Sequence, residues 1–222
     1  MTYFPPTNSA DEWARREPAE VGMDPDALAS AVEYVVDHES QIPQDFEGHE
    51  ELLGEVIGPL PERRGDPNGL VIKDGYVVAE WGDTHAVDLA FSVTKSFLST
   101  AAGVAYDRGL LVPDESVAET VDDGEFDSAH NEEITWEMFL QGTSEWKGEL
   151  WGKPDGADRR EGPDRNLNDP GTFWEYNDVR VNRLALSLLR LLESPLPRVV
   201  REEVMTPIGA SESWTWHGYE NS

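Results

Sequence analysis

The chain has 222 residues, enough for one domain or one and a half. Its 45 acidic residues against 17 basic ones (net charge −28) exclude the basic stripe that nucleic-acid binding needs, and the lack of cysteine excludes disulfides, thiolate catalysis and cysteine-ligated zinc. Apolar residues make up 38% and include no run long enough to span a membrane, and the opening Met1-Thr2-Tyr3-Phe4-Pro5-Pro6 lacks the basic and apolar regions of a secretory signal, so a cytoplasmic location is expected.

Taken in chain order, Asp24-Pro25 fits an N-cap followed by proline at the first helical position, and predicts an amphipathic helix to about His38. Residues 40–66, polar with Gly and Pro, read as a loop. From Gly69 to Gly82 two β-branched runs flank Asp74-Gly75, a dipeptide that accepts the positive φ angles of a two-residue hairpin turn. From Ser92 to Arg108 the pattern turns helical: Phe97, Ala101, Val104 and Ala105 follow the helical period, and Gly109 ends the run. Its Ala-rich composition predicts a buried helix. Val112 to Thr172 is rich in Asp, Gly and Pro and reads as a large surface excursion around a site, with one short helix near Trp136–Leu140. A second strong helix is expected from about Asp178 to Glu193, with Leu184, Leu188 and Leu192 on one stripe and Val181, Ala185 and Leu189 beside it. A shorter helix from Leu196 to Met205 and a strand at Trp214-Thr215-Trp216 follow. No repeat is present. Together these elements predict an α/β protein of the α+β type, a single domain in which an antiparallel sheet is flanked by helices and 112–175 forms a loop-rich helical region around the site.

The segment Phe91-Ser92-Val93-Thr94-Lys95-Ser96-Phe97 carries the sharpest chemical signal. Residues i and i+3 share a helix face, so Ser92 and Lys95 are neighbours. Ser92 as a plain N-cap with Lys95 on the surface is the structural alternative. It fits poorly, because a capping box wants Glu or Gln three residues on, and a cation in the first turn faces the positive end of the helix dipole. The chemical reading uses the same facts. A serine hydroxyl needs an adjacent base. A lysine that is buried and close to a positive helix end has its neutral form favoured and can take the proton. N–H groups at the helix start would stabilise an oxyanion.

Downstream, Asp169-Pro170-Gly171-Thr172-Phe173-Trp174-Glu175-Tyr176-Asn177-Asp178 runs into the second helix. Taken alone, Tyr176 could be a hydrophobic staple ahead of Asn177 as N-cap. With the serine segment before it, the stretch resembles the second motif of class C β-lactamases and their esterase and amidase relatives, and Phe91–Phe97 resembles their first. Gly69–Trp81 is similar to their hairpin, Leu110–Asp114 to the segment closing the nucleophile helix, Ile134–Ser144 to their I-T-x-x-x-L-L-x-x-T-S-G stretch, and Val204–Ala210 to their P-L-G-M turn. The resemblance covers about 18–217 and implies a β-lactamase/transpeptidase-like fold. It implies Ser92 as the acylated nucleophile, Lys95 as its base or proton relay, and Tyr176 as a proton shuttle. Asp178, where the family usually has Asn, would contact Lys95 or the substrate. The implied partner is a small-molecule ester or amide, with no cofactor, metal, nucleic acid or membrane, and homo-oligomerisation is open.

Two departures matter. Glu145 stands where the family has Gly after Thr-Ser, which together with Asp178 points away from penicillin chemistry and towards an esterase or amidase. The third motif, K-T-G or H-x-G on a strand, has no counterpart in place, since His217-Gly218-Tyr219 comes too early. The expectation is the N-terminal portion of the fold, incomplete at the C-terminus, or a shortened member, with an inactive fragment or binding module as the alternative function. The acid-rich, lysine-poor composition, with Lys73, Lys95, Lys147 and Lys153 its only lysines, resembles proteins of salt-loving archaea, whose surfaces stay solvated when salt screens self-repulsion.

Overall fold

The computed structural model describes residues 3–6, 13–40, 44–45, 63–159 and 161–218. They fall into two compact units, one formed by the chain up to Leu89 with the segment from Ile208 onward, the other by Ala90–Pro207. The described elements are helices and small antiparallel sheets, as an α/β chain requires.

In the first unit, helix α1 (Pro25–Asp37) starts where the sequence places it. Asp24 Oδ1 accepts the Asp26 and Ala27 N–H groups at 2.9 and 3.1 Å, satisfying two donors that the first turn leaves open. Strands β1 (Gly69–Lys73) and β2 (Tyr76–Trp81) pair antiparallel, with the register shifting between Val71 and Ile72. Asp74 at φ 54° and Gly75 at φ 90° form the turn. Both angles are positive, as a type I′ turn demands. Gly69 sits under the Trp81 ring, where a Cβ would come within 2.2 Å of a ring carbon, so the close cross-strand packing requires glycine. The outer edge of β2 is covered, because the Val77 N–H donates to the Ala14 carbonyl (3.1 Å) and the Arg16 N–H to that of Val77 (3.2 Å). Most of the expected 40–66 loop lies outside the described residues. No strand forms over 214–216. Aromatic propensity there meets no backbone ladder, and without one it does not make a strand.

The second unit is organised by helices α2 (Thr94–Asp107) and α4 (Asp178–Leu192). Between them lie helix α3 (Trp136–Leu140) and the short hairpin of β3 (Glu149–Leu150) and β4 (Lys153–Pro154). Helix α5 (Leu196–Val200) follows, and its continuation Arg201–Met205 is wound as a π turn rather than as further α-helix. α2 packs against α4 and α5. It is buried on one face only, through Leu98, Ala101, Ala102 and Ala105, while Tyr106 stays exposed. Small alanines on that face allow close approach of the neighbouring helices.

The stretch 112–172 is not the surface excursion its composition suggests. Val117, Val121, Phe126, Ile134, Trp136, Phe139, Trp146 and Leu150 are all buried and supply much of the core. They are spaced without helical or strand period, so no pattern announces them. Their loops tolerate burial because side chains satisfy the backbone. Asn131 Nδ2 donates to the Glu125 and Lys147 carbonyls at 2.8 Å each, and its Oδ1 accepts the Lys147 N–H at 3.1 Å. Helix α3 is capped by Thr135, whose hydroxyl accepts the Met138 N–H at 3.3 Å. Among the described residues no helix is long and apolar enough to cross a membrane.

Candidate active site

A short 3₁₀ turn, Phe91–Val93, leads into α2. Ser92 is exposed and caps nothing, so the N-cap alternative fails. Phe91 holds φ at 44°, a left-handed conformation that costs a bulky residue about 1–3 kcal/mol. The strain sits on the residue immediately before the serine.

The second segment reaches the serine by a different route. The Gly171 N–H donates to the Thr143 carbonyl (2.9 Å) and the Glu175 N–H to the Gly142 carbonyl (3.0 Å). The Gly142-Thr143 stretch therefore docks directly on the tyrosine segment. Along that segment burial alternates: Glu175 is 4% exposed, Tyr176 43%, and Asn177 2%. Extended backbone at Asn177 (φ −144°) sends successive side chains to opposite sides. The inward Asn177 caps α4, its side chain accepting the Arg180 N–H at 3.1 Å and donating to the Asp155 carbonyl at 2.9 Å. The outward Tyr176 is left free to meet the serine.

These elements bring all four residues expected from the sequence together. Ser92 Oγ lies 2.6 Å from Tyr176 Oη. Lys95 Nζ donates to Ser92 Oγ at 3.1 Å, stands 2.9 Å from Asp178 Oδ1, and lies 4.9 Å from the centre of the Tyr176 ring. The charge state of Lys95 differs from the sequence expectation. Burial lowers its pKa, as anticipated, but Tyr176 and the Asp178 carboxylate outweigh that, and the net shift is upward. Lys95 is therefore a cation at neutral pH. An Asn at 178 would supply a hydrogen bond but no charge. The hydrogen bond to Tyr176, followed by the hydrogen bond and charge of Asp178, more than offsets the burial that favours the neutral amine.

Glu145 has a different place from the one its substitution for Gly suggests. It is fully buried and does not face the serine. Its φ of 48° explains why glycine is the easier residue here. Arg165 grips its carboxylate with both guanidinium nitrogens at 2.7 and 2.9 Å, Arg180 adds a contact at 2.8 Å, and the Asn168 N–H another at 2.8 Å. Glu175 takes the second contact of each arginine, at 2.9 and 3.2 Å. Asp155 and Arg159 extend the set, with Arg180 3.6 Å from Asp155. Three carboxylates thus face three guanidiniums in a nearly dry cluster. Burial pushes the Glu145 carboxyl up, but Arg165, the Asn168 N–H and Arg180 together hold it down at about 2. The cluster holds Glu175 directly and Asn177 through the Asp155 carbonyl, behind the tyrosine. One signal for it exists in the sequence: Arg180 heads the row Arg180, Leu184, Leu188, Leu192, a cation at a stripe position. The structure buries Arg183 and Ser187 on that side, whereas Leu189 is 41% exposed.

The family model described as Beta-lactamase matches residues 69–220, well over half of the chain and including both motif segments. The chain belongs to the Beta-lactamase family, whose members are usually hydrolases that work through a serine acyl-enzyme. No curated protein matches it.

Proposed function

We propose that this chain is a serine hydrolase that cleaves an ester or amide through an acyl-enzyme on Ser92. The observation that carries the reading is a single one: Ser92 Oγ lies within hydrogen-bond reach of both a phenol and an ammonium, at 2.6 and 3.1 Å. Tyr176 Oη takes the Ser92 proton while Oγ bonds to the carbonyl carbon. Collapse of the tetrahedral intermediate expels the alcohol or amine, which leaves with the proton from Tyr176. Water then attacks the acyl carbon, losing a proton to Tyr176, and Tyr176 returns that proton to Ser92 Oγ as the acyl–Oγ bond breaks and the carboxylic acid leaves. Lys95 serves as the cation that holds Ser92 Oγ and lies against the Tyr176 ring, rather than as a neutral base. Glu145 is fully buried, so Asp178 is the departure from the family motif that meets the substrate and favours an ester or amide over a penicillin.

The test is labelling with a fluorophosphonate, or turnover of p-nitrophenyl acetate, in molar KCl. Ser92→Ala is expected to abolish labelling and to lower turnover at least about 10³-fold. Equal labelling of parent and variant would end the proposal. The role of Lys95 has its own check. Lys95→Ala is expected to slow acylation about 10²–10³-fold, the effect of losing one electrostatic contact to the reacting group, whereas Lys95→Arg, which keeps the charge, retains measurable activity. Equal loss in both would return Lys95 to the role of base.

A further inference from the structure

The charge pattern around Ser92 says what kind of acyl group it accepts. Lys95 is the one cation hydrogen-bonded to the nucleophile among the described residues, and Asp178 neutralises it at 2.9 Å. The carboxylate is not sealed off, because the Asp178 side chain is 52% exposed and that of Lys95 only 30%. The anion is thus the more open member of the pair. The other cations held near the tyrosine segment cannot compensate. Arg165 and Arg180 are 7% and 5% exposed and are matched to Glu145 and Glu175. Of the charged groups in contact with Ser92 or Lys95 within Ala90–Pro207, then, the more exposed is a carboxylate, and the cation is already paired with it. An anionic substrate group would meet like charge there, and a cationic one would meet a partner.

We propose that Asp178 is a specificity-determining residue, selecting esters or amides whose acyl part is neutral or cationic and rejecting those that carry a carboxylate. This rests on Ser92 being the nucleophile. An Asn at the same position would remove the like charge and abolish the preference.

The experiment compares three p-nitrophenyl esters of similar length: the butyrate, the hydrogen succinate and the 4-(trimethylammonio)butyrate. Acylation of the full chain is followed by intact-mass spectrometry at one pH and one salt concentration. For the parent, the succinate is expected to acylate at least about tenfold more slowly than the butyrate, and the cationic ester at least as fast. In Asp178→Asn the succinate-to-butyrate ratio is expected to rise about tenfold and the cationic advantage to disappear. A ratio within one chain and one pH cancels any general loss of rate or folded fraction, and the parent's own order is a test that needs no variant. Ser92-dependent acylation with no charge preference in the parent, or a ratio unmoved by Asp178→Asn, overturns the inference alone. No Ser92-dependent acylation by any ester or by a fluorophosphonate overturns the underlying reading as well.

Discussion

Replacing Glu145 by alanine is expected to destabilise the protein by about 3 kcal/mol, because the buried Arg165 and Arg180 lose one of the two carboxylates they share and keep Glu175 alone between them. Domains of this size hold about 5–15 kcal/mol in total, so the variant should lose a substantial share of its stability, and its denaturant midpoint measures the loss. Glu145→Gly gives up the same ion pairs but relieves the left-handed backbone at φ 48°, and should recover about 1 kcal/mol of the deficit. The same group sets an acid limb. Its folded pKa of about 2 lies below the unfolded value of 4.5. The stability it contributes is fully present above pH 4.5 and is lost as pH falls towards 2. That difference corresponds to about 3 kcal/mol. Glu145→Gln should lack this part of the pH dependence, which equilibrium unfolding at a series of acidic pH values would reveal.

The second large effect is expected at Tyr176. Tyr176→Phe keeps the ring that lies near Lys95 and removes only the oxygen 2.6 Å from Ser92. General acid–base groups contribute about 10²–10⁴-fold, and a loss in that range is expected in the rate of acyl-enzyme formation. Thermal stability should barely change, since Tyr176 is 43% exposed. Stopped-flow release of p-nitrophenol, read beside a melting curve, separates the two. A variant that acylates like its parent would remove Tyr176 from the chemistry.

How much of this was legible in the sequence depends on whether a feature is local. The hairpin turn at Asp74-Gly75, the cap at Asp24 and the starts of α1 and α4 are set by residues a few positions apart, and the structure reproduces them. The four site residues were readable because motif spacing ties them to a known arrangement. The core of 112–172 was not, because Trp136, Trp146 and Phe126 are buried by partners distant in the chain, and excess Asp and Gly hides them. Glu145 was misjudged for a related reason. In a chain with 45 acidic residues one more carboxylate carries little information, and only its distances to Arg165 and Arg180 show that it is structural. The direction of the Lys95 shift is also out of reach, because it is set by Tyr176 and Asp178, more than 80 positions away in the chain, outweighing burial.

The alternation of burial from Glu175 to Asp178 bears on which sequence changes this protein can explore. Chemistry and architecture occupy alternate positions of one short extended run. Single substitutions at 176 or 178 can retune the reaction or its preference for charge without disturbing the arginine-clamped Glu175 before them or the capping Asn177 between them. Insertion or deletion of one residue would do the opposite: it would turn the phenol into the ion cluster and Glu175 out towards Ser92, losing fold and reactivity together. Variation along this run is therefore expected to proceed by replacement at constant length.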